Sequence, residues 1–305
     1  MAETSIARGS QSFAAAARLF DPETRRSAMM LYAWCRHCDD VIDEQDLGHR
    51  PAGGAKGRWT ALTPAARIAA LEDQTRRAFA GEPMEDGNFR ALQLVVRRHD
   101  LPLRLALDHL DGFRMDADGR RYETIEEVLD YCHHVAGVVG VMMAAIMGAK
   151  GEDTLRRAAD LGLAFQLTNI ARDIVADARA GRVYLPTDWM RSVDLDARGI
   201  ADSVNRAKVA SLAARLLAAA EPHYDSARLG IDALPRRSAW AVATALGVYR
   251  DIGVRVSALG ERAWDERVST SKADKLGHVV KGAAIAGRRR RVHPARSQTL
   301  WTHEL

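Results

Sequence analysis

The chain has 305 residues, 47% of them hydrophobic and 28% charged, with a formal net charge of +4. That balance fits a soluble globular protein with a sizeable core and excludes a general polycation, so no nucleic-acid partner is expected. Three cysteines are too few for a disulfide framework, which points to a reducing cytoplasm.

In chain order, helical periodicity recurs from end to end and strand alternation is nearly absent. The expected fold is therefore all-α, in one domain. No signal-peptide pattern is read at the start. Asp21-Pro22 reads as an N-cap followed by a first-turn proline, and predicts a helix to about Asp46. Cys35 and Cys38 flank His37 as a CxxC. No second pair follows, so they are read as ordinary helix residues rather than zinc ligands. The Gly/Pro-rich stretch LGHRPAGGAKGRWTALT predicts a mobile loop near 47–60. Thr63-Pro64 starts the next helix as Asp21-Pro22 does, and GEPMEDGN is a turn. Further helices are predicted over about 86–99, 102–116, 124–149, 152–178, 200–229 and 236–263. The apolar run VAGVVGVMMAAIMGA (135–149) is shorter than the roughly 20 residues a membrane span needs, and reads as a buried core helix. The domain is expected to span 1–281. Residues 282–305, with GRRRRVHPAR at 287–296, are expected to be a basic, disordered tail. Anionic lipid is the weaker functional reading of that tail, nucleic acid another.

Two polar stripes stand out. Asp39, Asp40, Asp43, Glu44 and Asp46 end a helix that is apolar elsewhere. Charges beside a buried face are costly unless something neutralises them. Tyr32, Arg36, Asp39 and Asp43 are four, three and four residues apart, which puts them on one helix face. In LGLAFQLTNIARDIVADARAGRVYLP, Gln166, Asn169, Asp173 and Asp177 repeat the pattern, beside an apolar stripe of Leu163, Leu167, Ile170 and Ile174. Each helix thus carries an Asp-x-x-x-Asp pair. Paired carboxylates repel, and a hard divalent cation with oxygen ligands removes that penalty. Magnesium is usually completed by substrate phosphates, so the stripes suggest a diphosphate held through metal, with Arg36, Arg172 and Arg182 as direct contacts. A lone pair of this kind is usually a solvated face. Spacing alone leaves both readings open.

The segments YCHHVAGVVG (131–140) and LGLAFQLTNIARDIVADARAGRVYLP (161–186) resemble the two signatures of squalene and phytoene synthases. In the second, Gly162, Gln166, Asn169, Arg172, Asp173, Asp177, Arg182, Tyr184 and Pro186 fall in register. GSQSF (9–13) and LYAWCRHCDDVID (31–43) also match, the latter most like the bacterial phytoene synthases of that family. The resemblance covers about residues 8–275. It implies an isoprenoid synthase helical bundle around a deep apolar cavity. It implies head-to-head condensation of two geranylgeranyl diphosphates, through prephytoene diphosphate, to phytoene. By the same resemblance Asp39, Asp43, Asn169, Asp173 and Asp177 are metal ligands. Ser10 and Ser12 are flap serines facing a diphosphate. Tyr32, Arg36, Gln166, Arg172, Arg182 and Tyr184 line the diphosphate pocket, Tyr249 lies at it, and Arg267 matches a C-terminal basic residue more loosely. Ala176 stands where the family often has Glu, and His133 where it commonly has Tyr.

The expected cofactor is Mg²⁺, with Mn²⁺ as a substitute and ATP as a candidate non-hydrolysed effector. NADPH is not expected, since no dinucleotide fingerprint is present. The expected partners are geranylgeranyl diphosphate, a transiently contacted membrane surface and a downstream phytoene desaturase, in a cytoplasmic protein peripherally associated with the membrane. Tyr32 and Tyr249 are candidates for steadying carbocations. The small residues of 135–149 read equally as room for a prenyl chain or as close helix packing. One alternative is a squalene or dehydrosqualene synthase using farnesyl diphosphate. Another is a non-catalytic assembly or scaffold relative, against which Asp39, Asp43, Asp173 and Asp177 all stand.

Overall fold

The computed structural model describes residues 16–43, 59, 61–288 and 293–304. Among them the chain is helical and has no strand. The helices are α1 (Pro22–Asp43), α2 (Pro64–Ala80), α3 (Gly87–His99), α4 (Leu103–Ala117), α5 (Ile125–Cys132), α6 (Val138–Ile146), α7 (Glu152–Arg179), α8 (Thr187–Ser192), α9 (Arg206–Gly230), α10 (Arg236–Leu259) and α11 (Lys272–Ala286).

Local chemistry sets several of the ends. The Asp21 carboxylate accepts from the backbone N–H of Thr24 at 3.0 Å and opens α1. The Thr63 hydroxyl accepts from Ala66 N–H at 3.3 Å, with Pro64 as the first helical residue of α2. That helix stops at Gly81, whose φ of 82° is left-handed and suits glycine. Ser271 and Asp274 form a reciprocal capping box that starts α11.

The apolar core falls into two clusters. One gathers Phe20, Leu163, Leu167, Ile170 and Tyr224 around α7 and α9. The other gathers Leu31, Trp34, Phe89, Leu92 and Leu110 around α1, α3 and α4. Burying each such side chain contributes roughly 1.5–3 kcal/mol. The predicted stripe of α7 is inside: Leu163, Leu167, Ile170 and Ile174 are all buried.

The predicted 124–149 helix is broken in the middle. Residues His133–Gly137 form a π-helical turn between α5 and α6. One extra residue there shifts the face that α6 turns inward. Counted through the turn, Ile125–Ile146 is long and apolar enough to cross a membrane by composition, with 61% of its window buried within the protein. Glycines bring α6 against α7. A Cβ on Gly140 would lie 2.3 Å from the Ala158 carbonyl oxygen, and one on Gly162 at 2.3 Å from that of Ala136. Close packing therefore requires them, and Ala136 and Gly140 also face the cavity described below. Part of the small-residue run thus packs closely against α7 and part of it borders the cavity.

Other expectations are corrected. The predicted 200–229 helix starts only at Arg206, after two short 3₁₀ turns, and 236–263 ends in a 3₁₀ turn from Gly260. The structure adds two helices to the predicted set, α8 and α11. The tail is not a disordered end from 282: α11 continues to Ala286, and residues 293–304 lie back on the body. Arg296 grips the buried Asp160 with 2.7 Å bonds from Nε and Nη2. It also donates to the Trp301 carbonyl at 2.8 Å and to Thr302 Oγ1 at 2.7 Å. Composition marks such a segment as solvated; a buried carboxylate elsewhere in the fold recruits it. Most of the predicted 47–60 loop lies outside the described residues, as do Arg289, Arg290 and Arg291.

Candidate active site

Between the two core clusters lies a cavity of about 1080 Å³. Its lining comes from α1, α4, the π turn with α6, α7, α9 and α10. One part is polar, where α1 brings Tyr32, Arg36 and Asp39 and α7 brings Gln166, Asn169, Arg172, Asp173 and Asp177. The rest is mostly apolar, with Phe20, Val139, Met143, Leu161, Phe165 and Leu234. The two predicted stripes therefore meet at one cavity. Arg182, Tyr184, Tyr249 and Arg267 line it as well. Ser10 and Ser12 lie outside the described residues.

Asp43 is held across the site rather than in the lining. Arg182 reaches it from 139 positions away, through Nη1 at 3.1 Å and a second bond from Nη2. Arg36 pairs with Asp39 at 2.9 Å and with Asp40 at 3.0 Å. Arg172 and Arg267 both hold Asp173, at 3.0 Å and 3.1 Å. Arg267 comes from the exposed rim, and this shared carboxylate is what ties it to the site.

The carboxylates are not equally compensated. Burial pushes Asp39 up to about 6, against the pull of Arg36 and with repulsion from Asp43. Burial and the neighbouring Asp173 push Asp177 up to about 7. For Asp173 burial acts upward too, but hydrogen bonds from Arg172 and Arg267 outweigh it and hold the carboxyl below its usual range.

The sequence reading missed one carboxylate. Asp116 of α4 lines the cavity and accepts from Tyr184 at 2.7 Å and from Tyr131 at 3.0 Å. The rings of Tyr131 and Tyr184 stack at 4.8 Å. Burial raises Asp116 above the usual carboxylate range despite those donors. Tyr131 lay inside the first quoted signature, but nothing local in DGFRMD separates Asp116 from a solvated acid. Tyr249 stacks on Phe165 at 4.1 Å in the cavity wall. Cys35 and Cys38 are free thiols on α1, with Cys35 in the cavity lining and Cys38 in the core.

An all-helical bundle that closes on a large cavity, acid-edged and apolar within, defines an isoprenoid synthase architecture. The chain belongs to the squalene/phytoene synthase family, whose pattern it matches over residues 6–274. It is 51% identical to the 15-cis-phytoene synthase of Pantoea ananas, over 98% of this chain and 96% of that protein. It is 47% identical to the 15-cis-phytoene synthase of Paracoccus sp., over 97% of this chain and 95% of that one. Among solved structures it resembles a ligand-bound dehydrosqualene synthase, with a TM-score of 0.80, 26% identity, and coverage of 93% and 94% of the two chains. A squalene synthase of Alicyclobacillus acidocaldarius is similar at a TM-score of 0.70 and 25% identity, over 86% of this chain and 94% of that chain.

Proposed function

We propose that the chain is a 15-cis-phytoene synthase, joining two geranylgeranyl diphosphates head to head through prephytoene diphosphate. The observation that carries the reading is the cavity. At about 1080 Å³ it lies at the upper end of the roughly 300–1,000 Å³ of small-ligand pockets, and it joins the acids and arginines that suit a diphosphate to apolar walls that suit prenyl tails. The relatives near 50% identity that carry the phytoene synthase name favour this product over squalene.

The donor set suits magnesium, with manganese as a substitute. Asp39, Asp43, Asn169, Asp173 and Asp177 offer oxygen only, and the raised Asp39 and Asp177 carboxyls mark negative charge that the arginines leave under-compensated. Bound by these residues, the cation would offset the charge that grows on a departing diphosphate.

The chain's own residues do the rest. Arg36, Arg172, Arg182 and Arg267 are each paired with a site carboxylate. In the substrate complex those guanidiniums turn to diphosphate oxygens, which they match in a bidentate way. The carboxylates so released would be compensated by the bound cation. Asp116 fixes Tyr131 and Tyr184 beside this region. Burial pushes the Tyr32 hydroxyl up to about 12, so the ring stays neutral at working pH and can face an allylic cation without titrating. The apolar walls keep water from that cation.

Both the prenyl tails and the product are apolar, so the product leaves into lipid. The enzyme is proposed to bind the membrane surface reversibly, and a desaturase to consume the product. The test is incubation of purified protein with labelled geranylgeranyl or farnesyl diphosphate and magnesium, with and without NADPH and ATP. Phytoene from geranylgeranyl diphosphate without NADPH is expected. A product only from farnesyl diphosphate, or a strict need for NADPH, overturns the reading.

A further inference from the structure

We propose that Asp130, His134 and His303 form a site for a divalent transition-metal ion of borderline hardness, zinc above all, that pins the C-terminal segment beside the cavity wall. The site is separate from the carboxylates described above and does not depend on the proposed reaction.

His134 belongs to the π turn, Asp130 to α5, and His303 to the returning C-terminal segment. One ligand atom from each lies within 4.8 Å of the other two. His134 Nε2 is 3.8 Å from Asp130 Oδ1, and His303 Nε2 is 3.9 Å from the same oxygen. Those gaps are too long for hydrogen bonds. A tetrahedral zinc with bonds of about 2.0–2.1 Å sets its ligand atoms roughly 3.4 Å apart, so the two histidine–carboxylate gaps close by about half an ångström and the histidine pair, within 4.8 Å, by at most about 1.4 Å.

The tautomers favour a cation. His134 Nδ1 lies 2.8 Å from the Asp108 carbonyl, and His303 Nδ1 lies 2.9 Å from the Glu304 carbonyl. A carbonyl only accepts, so each Nδ1 carries the hydrogen. In the neutral rings both Nε2 atoms then hold lone pairs, which face the Asp130 carboxylate. Three acceptors converge with no donor among them, an arrangement that a metal ion resolves. Backbone carbonyls on the far ring nitrogens are also the usual outer support of metal-bound histidines. Arg120 sits 3.7 Å from Asp130 Oδ2 and leaves Oδ1 to the histidines.

The pieces are held without the metal. The buried His133 ring stacks on His303 at 4.3 Å and 16°. Arg296 anchors the segment a few residues earlier through Asp160. Two nitrogens and one carboxylate oxygen suit zinc better than magnesium, and the fourth position is left to water.

The test uses the full chain in excess magnesium, which occupies the oxygen-only site and leaves a borderline ion to the nitrogen ligands. Zinc binding is measured by calorimetry, and cobalt substitution by its visible absorption. The expected result is one high-affinity zinc per chain and a tetrahedral cobalt spectrum. His303→Ala, at the end of the chain where misfolding is least at issue, is expected to weaken zinc more than about tenfold, since loss of even an outer-shell partner costs about that much. Asp130→Asn should weaken it as well, whereas His278→Ala should not. Turnover of the zinc-free protein should be unchanged in His303→Ala. A wild type that binds no zinc above the magnesium background overturns the proposal. So does equal affinity in the wild type and His303→Ala. A His303→Ala variant destabilised to the same extent with and without zinc assigns the cluster to a histidine–carboxylate ion pair instead.

Discussion

Asp177 and Asp39 carry the clearest residue-scale consequence, because their folded pKa values, about 7 and about 6, lie above the carboxylate reference of 3.8. The folded state therefore holds more protons than the unfolded state between about 4 and 7. The stability these groups contribute is present below pH 3.8 and is lost as pH rises through their folded values. Metal-free protein should lose stability to Asp177 over that window. Added magnesium should stabilise progressively more across it, since it binds the deprotonated form. Thermal melts of wild type and Asp177→Asn, each with and without magnesium, check both signs; the variant should flatten both slopes. Rates supply a second residue-scale expectation. Asp39→Asn and Asp173→Asn should each lower turnover by several orders of magnitude, because compensation at a leaving group is worth about 10²–10³ per contact and each carboxylate also organises an arginine. Asp265→Asn, on an exposed turn, should be silent. Equal damage at Asp265 would sink the assignment of the two stripes.

At the scale of elements, the α6–α7 contact is the tightest test. A methyl group on Gly140 or Gly162 would meet a backbone carbonyl oxygen of the facing helix segment at 2.3 Å, and backbone cannot swing aside as a side chain can. Gly140→Ala and Gly162→Ala should each destabilise by about 1–3 kcal/mol, as overpacking does. Because Gly140 and its neighbours also line the cavity, these variants should lose activity with long-chain substrate before they unfold. Denaturant melts and product assays on the same preparations read the two effects apart. The π turn at His133–Gly137 belongs to this scale too. YCHHVAGVVG shows no proline, and its pattern reads as uninterrupted helix. Packing of two segments against α4 and α7, not local propensity, is what rewards the extra residue.

For the whole molecule, the C-terminal segment is a strap rather than a solvated end. Asp160 is 1% exposed and also accepts from His223 Nδ1 at 2.8 Å and from the Ser226 hydroxyl. Burial acts to raise its pKa, but hydrogen bonds led by Arg296 prevail and keep it low. Arg296→Met removes the cation paired with that buried carboxylate, leaves it only His223 and Ser226, and should cost about 3–5 kcal/mol; adding Asp160→Asn should recover part of the loss. A denaturant double-mutant cycle measures the coupling. Truncation near Lys281 would confound stability with surface charge, so membrane attraction is better tested by replacing Arg288, Arg289, Arg290 and Arg291 with glutamine. At roughly 1 kcal/mol per basic residue near an anionic surface, sedimentation with anionic liposomes at low salt should fall. Unchanged sedimentation would leave the cluster without a membrane role.

The sequence by itself determined what depends on neighbours along the chain. The helix starts at Pro22 and Pro64, the apolar stripe of α7 and the two Asp-x-x-x-Asp faces follow from capping chemistry and the 3.6-residue period. Those features, with the long second signature, were enough to read an all-α enzyme and most of its polar lining. Only the tertiary structure decided which distant groups meet. Arg182 finds Asp43, Asp116 gathers Tyr131 and Tyr184, Arg296 enters the body at Asp160, and His303 comes to rest beside Asp130 and His134. Such pairings carry no local signature, because an isolated acid or arginine on a helix looks solvated. What makes them favourable is burial supplied by helices that cross there, and the crossings are set by the packing of the whole core.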